Sequence, residues 1–164
     1  MSKFEYRSSK ETRKAKVEGR LTRVNASDWP KLPSESANAQ QIREGPGGEK
    51  RPANYDLEER TARFGEAIIE LTRTIPRGPA NDRLIDQLVG CGTSIGANYA
   101  EAVDTLTKKE FIQCIGRCRR ESRETRFFLR MVAKAAPSLI EEARRLWLEA
   151  RELNLIFGSM IRRK

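Results

Sequence analysis

Four arginines with helical spacing are the residues whose type and position most directly suggest chemistry. They are Arg119, Arg123, Arg126 and Arg130, which recur at four-three-four spacing. On one helix they would form a stripe about 16 Å long, enough to follow several phosphates of a nucleic acid. Guanidinium groups bind phosphate oxygens through paired hydrogen bonds. The spacing therefore predicts a nucleic-acid-binding face, and the alternatives are a subunit interface or a solvated helix face.

Two glutamates on the opposite edge of the same segment, Glu121 and Glu124, raise the question of a metal site. Carboxylate metal sites in helical bundles use Glu-x-x-His pairs, and the sequence contains no histidine. That absence also removes Ser-His and Cys-His nucleophile pairs and histidine-containing zinc sites. We therefore expect no enzyme activity, no metal and no cofactor. Glu121 and Glu124 are assigned instead to an oligomer interface, where they could meet a neighbour's arginine edge and close a ring.

A run of small residues from Gly92 to Ala102 has the composition of a phosphate-binding loop. Its glycine spacing matches neither the dinucleotide fingerprint nor the P-loop, and no lysine follows the last glycine. A glycine within a helix costs about 1 kcal/mol relative to alanine, which close approach of another backbone can offset. We therefore predict a packing surface, within the domain or between subunits. Its residues are Gly92, Gly96, Asn98 and Tyr99, and a polar residue such as Asn98 can fix register or oligomer state.

The segments that contain these residues are predicted to be helices. Apolar residues recur at four-three spacing and predict helices at about 57–75, 81–102, 108–135 and 139–162. Prolines end the pattern after the first and third helices because proline lacks a backbone N–H and clashes with the preceding turn. Four helices with short connections run antiparallel to their neighbours. The predicted fold is all-α, an antiparallel up-down-up-down four-helix bundle over residues 55–164.

Capping residues indicate where each helix begins. Asp56 with Glu59, Thr107 with Glu110, and Ser138 with Glu141 have the spacing of capping boxes. Asn81 is the predicted N-cap of the second helix.

Residues 1–54 have a different composition from the rest of the chain. They contain few apolar residues and no sustained periodicity, and prolines and glycines interrupt their second half. Such a segment cannot bury enough apolar surface to offset the entropy of ordering it. We predict a disordered basic tail, or an extension that is not native to the protein.

Charge and cysteine content narrow the functional class. The 164-residue chain has a formal net charge of +9, which favours an anionic partner such as nucleic acid. A basic protein without such a partner is the alternative. Three cysteines cannot all pair, and no apolar segment follows the basic start. Both observations indicate a cytoplasmic protein without a membrane anchor.

Three segments together resemble a known bacterial family. They are Tyr55–Arg60, Gly92–Ala102, and the stretch from Phe111 through Glu121–Thr125 to Leu129. The chain resembles the four-helix-bundle proteins encoded by intervening sequences of 23S rRNA genes, also called S23-type proteins, over residues 55–164. More distantly it is similar to the accessory variability determinant of diversity-generating retroelements.

The resemblance implies a soluble, non-enzymatic bundle that assembles as a ring, with a homopentamer as the expected form. In the retroelement branch it also implies binding to RNA and to a reverse transcriptase. Residues and resemblance together predict a non-catalytic oligomeric accessory protein that binds RNA or a nucleic-acid enzyme through its third helix. The alternative is a structural or protein-interaction scaffold without nucleic-acid binding.

Overall fold

The computed structural model describes residues 57–163, and this part of the chain is all-α, as predicted. Its helices are α1 (Leu57–Thr74), α2 (Pro79–Val103), α3 (Lys108–Ala135) and α4 (Ile140–Arg163), with a short 3₁₀ helix at Pro137–Leu139. The predicted tail at 1–54 and the predicted cap Asp56 lie outside the described residues. None of the described helices is both long and apolar enough to span a membrane.

The first two helices pack against each other in antiparallel orientation. Near the start of α1, the backbone of Thr61 faces Gly96 of α2. Further along α1, the side chain of Ile68 faces Gly92, which comes earlier in α2. This order is consistent with the predicted up-down arrangement of neighbouring helices.

The core is built from the apolar residues that the four-three spacing identifies on each helix. Fully buried side chains from all four helices meet there: Ile68, Leu88, Ile95, Ile115, Leu129, Val132, Leu146, Leu153 and Phe157. Burying each such side chain contributes roughly 1.5–3 kcal/mol relative to leaving it exposed. Two polar residues of α3, Ser122 and Thr125, are also buried. Their hydroxyls donate to the carbonyl oxygens of Cys118 and Glu121, both at 2.8 Å, so burial leaves neither unsatisfied.

The start of α3 has the predicted cap. The backbone N–H of Glu110 donates to Oγ1 of Thr107 at 3.2 Å, which satisfies a donor that has no partner within the helix. The Thr107 hydroxyl also donates to the Glu110 carboxylate at 2.8 Å. The two side chains together fix the beginning of the longest helix.

The start of α2 differs from the prediction. The helix begins at Pro79, directly after Gly78, and not at a capping Asn81. Proline suits the first helical position because its missing N–H needs no partner there. Asn81 is already inside the helix, and its side-chain amide donates to the carbonyl oxygen of Pro76 at 2.8 Å. It therefore joins the helix to the preceding turn.

The start of α4 is also shifted. Ser138 is the middle residue of the 3₁₀ helix, and the α-helix begins at Ile140. Pro137 opens the 3₁₀ turn, where its fixed backbone angle is tolerated. The chain therefore reverses from α3 to α4 through a tighter turn than a simple cap would give.

Candidate nucleic-acid interface

The four predicted arginines lie along the edge of α3 that adjoins α4. Arg119 and Arg126 are partly buried, whereas Arg123 and Arg130 are exposed. The partly buried pair lies closest to α4, and the exposed pair lies further toward solvent. One edge of the helix therefore presents guanidinium groups at two depths.

Arg126 packs on an aromatic side chain of α4. Its guanidinium carbon lies 4.6 Å from the centroid of the Trp147 ring, and Trp147 is itself buried. A cation over an indole face is attracted by the ring quadrupole. The Arg126 Nε is buried and has no hydrogen-bond partner among the described residues. The position of this side chain is therefore fixed by its packing on Trp147 and not by a hydrogen bond from Nε.

The electrostatic surroundings of Arg126 are positive. Burial lowers its pKa, and the nearby charges of Arg151 and Arg123 lower it further. Within residues 57–163, no carboxylate forms an ion pair with Arg123, Arg126 or Arg151. Like charges at close range disfavour the charged form, and an anion placed among them would relieve that repulsion. The arrangement is therefore suited to bind an anionic group from outside the described chain.

Helix α4 completes the surface around Arg119. The side-chain amide of Asn154 donates to the Arg119 carbonyl oxygen at 2.8 Å and joins the two helices. A Cβ added at Gly158 would lie 3.5 Å from both Arg119 Nε and Arg162 Nη1. Two guanidinium groups therefore lie beside the α4 backbone at Gly158, at the distance of an ordinary contact from an added methyl group.

Two arginines of this surface, Arg151 and Arg162, were missed as site residues by the sequence reasoning. Trp147, Arg151, Asn154, Gly158 and Arg162 recur at four-three-four-four spacing along α4, and this periodicity was the available signal. Six arginines together form what we call the α3/α4 basic face: Arg119, Arg123, Arg126, Arg130, Arg151 and Arg162.

The Gly92 to Ala102 run packs closely against α1. A Cβ added at Gly92 would lie 2.9 Å from two carbons of the Ile68 side chain, closer than real contacts allow. At Gly96 the added Cβ would lie 3.5 Å from the Thr61 carbonyl oxygen, an ordinary contact. Gly90 differs, since it is exposed and has nothing within 4 Å of its added Cβ. Gly92 and Gly96 therefore contact α1 of the same chain. A subunit interface at these glycines stays a prediction.

Asn98 and Tyr99 make contacts within the chain. The Asn98 amide donates to the Ser94 carbonyl oxygen at 2.7 Å, and its side-chain oxygen accepts from Arg117 Nε at 2.8 Å. The Tyr99 ring lies 6.1 Å from the Phe157 ring, between centroids. Their predicted part in an oligomer interface stays a prediction, because the structure holds one chain.

Arg117 links α3 to α2 on the edge away from α4. Its guanidinium forms an ion pair with Glu101 at 2.5 Å in addition to the bond with Asn98. The ion pair raises the pKa of Arg117. Unlike Arg123, Arg126 and Arg151, this side chain is paired with a carboxylate of the described region.

Glu121 and Glu124 lie on α3 toward α2, on a different side from the basic face. Burial raises the pKa of Glu121, and the charge of Glu124 raises it further. No cluster of three or more Cys, Asp or Glu within residues 57–163 could hold a metal ion. Their predicted role at a subunit interface stays a prediction.

The three cysteines are buried in the core. Burial raises the pKa of Cys91 from 9.0 to about 11, although a hydrogen bond with Thr125 opposes the change. Burial likewise raises the pKa of Cys118 to about 12. Because the thiolate is the nucleophile, these thiols are held in their unreactive form at neutral pH.

Comparison with known proteins gives one family and one fold. Residues 53–158 match the family model of the 23S rRNA-intervening sequence protein. A solved structure from Bacteroides thetaiotaomicron, described as a protein with unknown function from the S23 ribosomal protein family, is 23% identical with a TM-score of 0.57. The match covers 64% of this chain and 97% of that chain, and it shows a shared fold. No curated protein matches the sequence.

Proposed function

We propose that this chain, which belongs to the family of 23S rRNA-intervening sequence proteins, is a non-catalytic RNA-binding accessory protein. The membership confirms the predicted family, whereas the likeness to the retroelement accessory determinant stays a prediction. In this proposal the chain is cytoplasmic, assembles as a homo-oligomer with a pentamer as the expected form, and contacts RNA through the α3/α4 basic face. A reverse transcriptase is a further candidate partner, which the retroelement likeness alone suggests.

The observation that carries the proposal is the position of Arg126. Its guanidinium is partly withdrawn from water against Trp147 and has no carboxylate partner among the described residues. The charges of Arg123 and Arg151 act on it from the same surface. Arg117, on the other edge of α3, is by contrast paired with the carboxylate of Glu101. An RNA phosphate would provide the missing negative charge.

Residue chemistry supports a non-catalytic role. The sequence has no histidine to act as a general base. The three thiols are buried, and the pKa values of Cys91 and Cys118 are raised to about 11 and about 12. None of the cysteines in the described region is therefore both exposed and activated as a nucleophile.

A charge-matched pair of variants tests the proposal. One variant replaces Arg123, Arg126 and Arg151 with glutamine, and the control replaces Arg63, Arg73 and Arg145, which are exposed and paired with nearby glutamates. Each variant loses three positive charges. We expect the first to bind RNA more weakly and to flatten the salt dependence by about 0.7 to 0.9 per lost phosphate contact. The control should resemble the wild type.

The readouts are RNA affinity by fluorescence anisotropy across a salt series and assembly mass by light scattering. Equal losses in both variants would show that only net charge matters. An unchanged RNA affinity with an intact assembly in the first variant would refute the proposed interface.

A protein-interaction scaffold is the second candidate, and one apolar surface favours it. Leu106 in the turn between α2 and α3 is 97% exposed, and Val103 at the end of α2 is 54% exposed. Exposed apolar pairs of this kind can contact a protein partner. Replacing both with serine should change the assembly mass, with RNA affinity unaltered, if this surface joins subunits.

A further inference from the structure

A second line of residues runs along α3, further from α4 than the guanidinium of Arg126. Its members recur at three-four-three-four spacing and are all exposed: Arg120, Arg123, Phe127, Arg130 and Lys134. This spacing keeps them on one helical face. The line therefore has two basic residues on each side of a single phenylalanine.

The ring of Phe127 is exposed and oriented by its neighbour. Phe127 is 55% exposed, and its ring centroid lies 5.2 Å from that of Phe128 in an edge-to-face arrangement at 80°. Phe128 is partly buried and packs against the core. An edge contact with an anchored ring limits the motion of Phe127 and leaves much of its surface accessible to a partner.

We propose that Phe127 stacks on an unpaired base of single-stranded RNA while the basic residues beside it contact the adjacent phosphates. This inference rests on the proposed RNA-binding function and specifies the kind of RNA. Aromatic side chains within positive surfaces bind single strands because any exposed base offers a face for stacking. In a duplex the bases are already stacked, so a phenylalanine on a convex helix would find no partner.

The charges around Phe127 favour a nucleic acid over a protein as its partner. Arg123 and Arg130 lie one helical turn to either side. An apolar protein surface covering Phe127 would also remove the Arg123 guanidinium, which forms no ion pair with a described carboxylate, from water without neutralising it. The carboxylate of Glu124, three residues before Phe127, lies toward α2, where it acts on Cys91. A polyanion that carries flat aromatic groups satisfies both the ring and the arginines.

Substitutions at Phe127 test the stacking directly. Phe127→Ala removes the ring, Phe127→Leu keeps an apolar side chain without a π face, and Phe127→Trp enlarges the stacking surface. Ile69→Ala on α1 is the matched control, because Ile69 is an apolar side chain 37% exposed on a different helix. Thermal unfolding followed by circular dichroism establishes that each variant folds.

The probes are a short oligoadenylate, the same oligomer with abasic sites, and an RNA duplex of equal length. We expect Phe127→Ala and Phe127→Leu to weaken oligoadenylate binding by about 5- to 150-fold, the range of a single base stack. Phe127→Trp should retain or raise the affinity. Duplex and abasic RNA should bind all four variants about as well as they bind the wild type.

Each other outcome contradicts the inference in a distinguishable way. Unchanged oligoadenylate affinity in Phe127→Ala, with weaker binding when Arg123, Arg126 and Arg151 are replaced, would leave the proposed function standing without the stacking. A changed assembly mass with unchanged affinity would identify Phe127 as a protein contact. Wild-type protein that binds none of the three RNA probes would refute both proposals.

Discussion

The guanidinium of Arg126 lies 4.6 Å from the ring centroid of Trp147, with no carboxylate paired to it in residues 57–163. A cation–π contact of this kind contributes about 0.5–2 kcal/mol, which offsets part of the cost of burial. The nearby Arg123 and Arg151 act in the opposite direction. The arrangement keeps a positive charge at the surface between α3 and α4, where no carboxylate of the described helices pairs with it.

Replacing Arg126 with methionine should separate folding from RNA binding. Methionine keeps an unbranched apolar stem on Trp147 but removes a charge whose pKa is lowered by burial and by neighbouring arginines. We expect the free energy of unfolding to stay within about 1 kcal/mol of the wild type or to rise. RNA affinity should fall. Urea unfolding and anisotropy on the same preparations measure both quantities, and a loss of several kcal/mol would show that the charge serves the fold.

Gly92→Ala and Gly90→Ala should change stability in opposite directions. At Gly92 the added methyl group would lie 2.9 Å from Ile68 carbons, and overpacking of this kind costs about 1–3 kcal/mol. At exposed Gly90 the methyl group meets nothing within 4 Å, so the better helix propensity of alanine should stabilise by about 0.5–1 kcal/mol. Thermal unfolding compares the two. In an Ile68→Ala background, which is itself destabilised by about 2–5 kcal/mol, Gly92→Ala should cost less than in the wild type, and an unchanged cost would mean that another contact is responsible.

The bond between Asn98 and Arg117 should be measurable as a coupling within one chain. Asn98→Ala removes the acceptor of Arg117 Nε, and we expect a loss of about 0.5–1.5 kcal/mol. A double-mutant cycle with Arg117→Ala should give a coupling energy of about 0.5 kcal/mol or more. Light scattering on Asn98→Ala provides the second readout. A change in assembly mass without a change in stability would instead support the predicted role of Asn98 between subunits.

The buried thiols should react slowly in the native protein. At pH 8, raising the pKa of a thiol from 9.0 to about 11, as for Cys91, lowers its thiolate fraction about 100-fold. Labelling with a thiol reagent should therefore be at least that much slower than in denaturant, where all cysteines are accessible. Fast labelling of one native cysteine would show that its surroundings open.

The same pKa changes predict how stability depends on pH. Because the folded-state pKa values of Cys91 and Cys118 exceed the ordinary 9.0, the contribution of the neutral thiols is complete below pH 9. It is lost as the pH rises from 9 toward 11 and 12, since the unfolded chain then ionises more readily. Urea unfolding from pH 8 to 10.5 should show falling stability. A variant with Cys91 and Cys118 replaced by alanine should show a shallower fall.

Much of the fold follows from local sequence signals. The predicted helix at 108–135 coincides with α3 because an unbroken four-three spacing is bounded by the Thr107 cap and by Pro137. The sequence predicts a start of α2 at Asn81 because asparagine is a good cap, yet Pro79 at the first helical position begins the helix earlier. The proline and the asparagine favour different first residues of the helix. Which of them begins it depends on the path of the preceding turn.

The arginine stripe of α3 follows from the sequence alone, because helical periodicity fixes which residues share a face. What that face adjoins depends on the tertiary fold. The position of Trp147 beneath Arg126, and of Gly158 beside Arg119, depends on how α4 packs against α3. Helical periodicity carries no information about a neighbouring helix's rotation and register, which arise from the packing of the whole core.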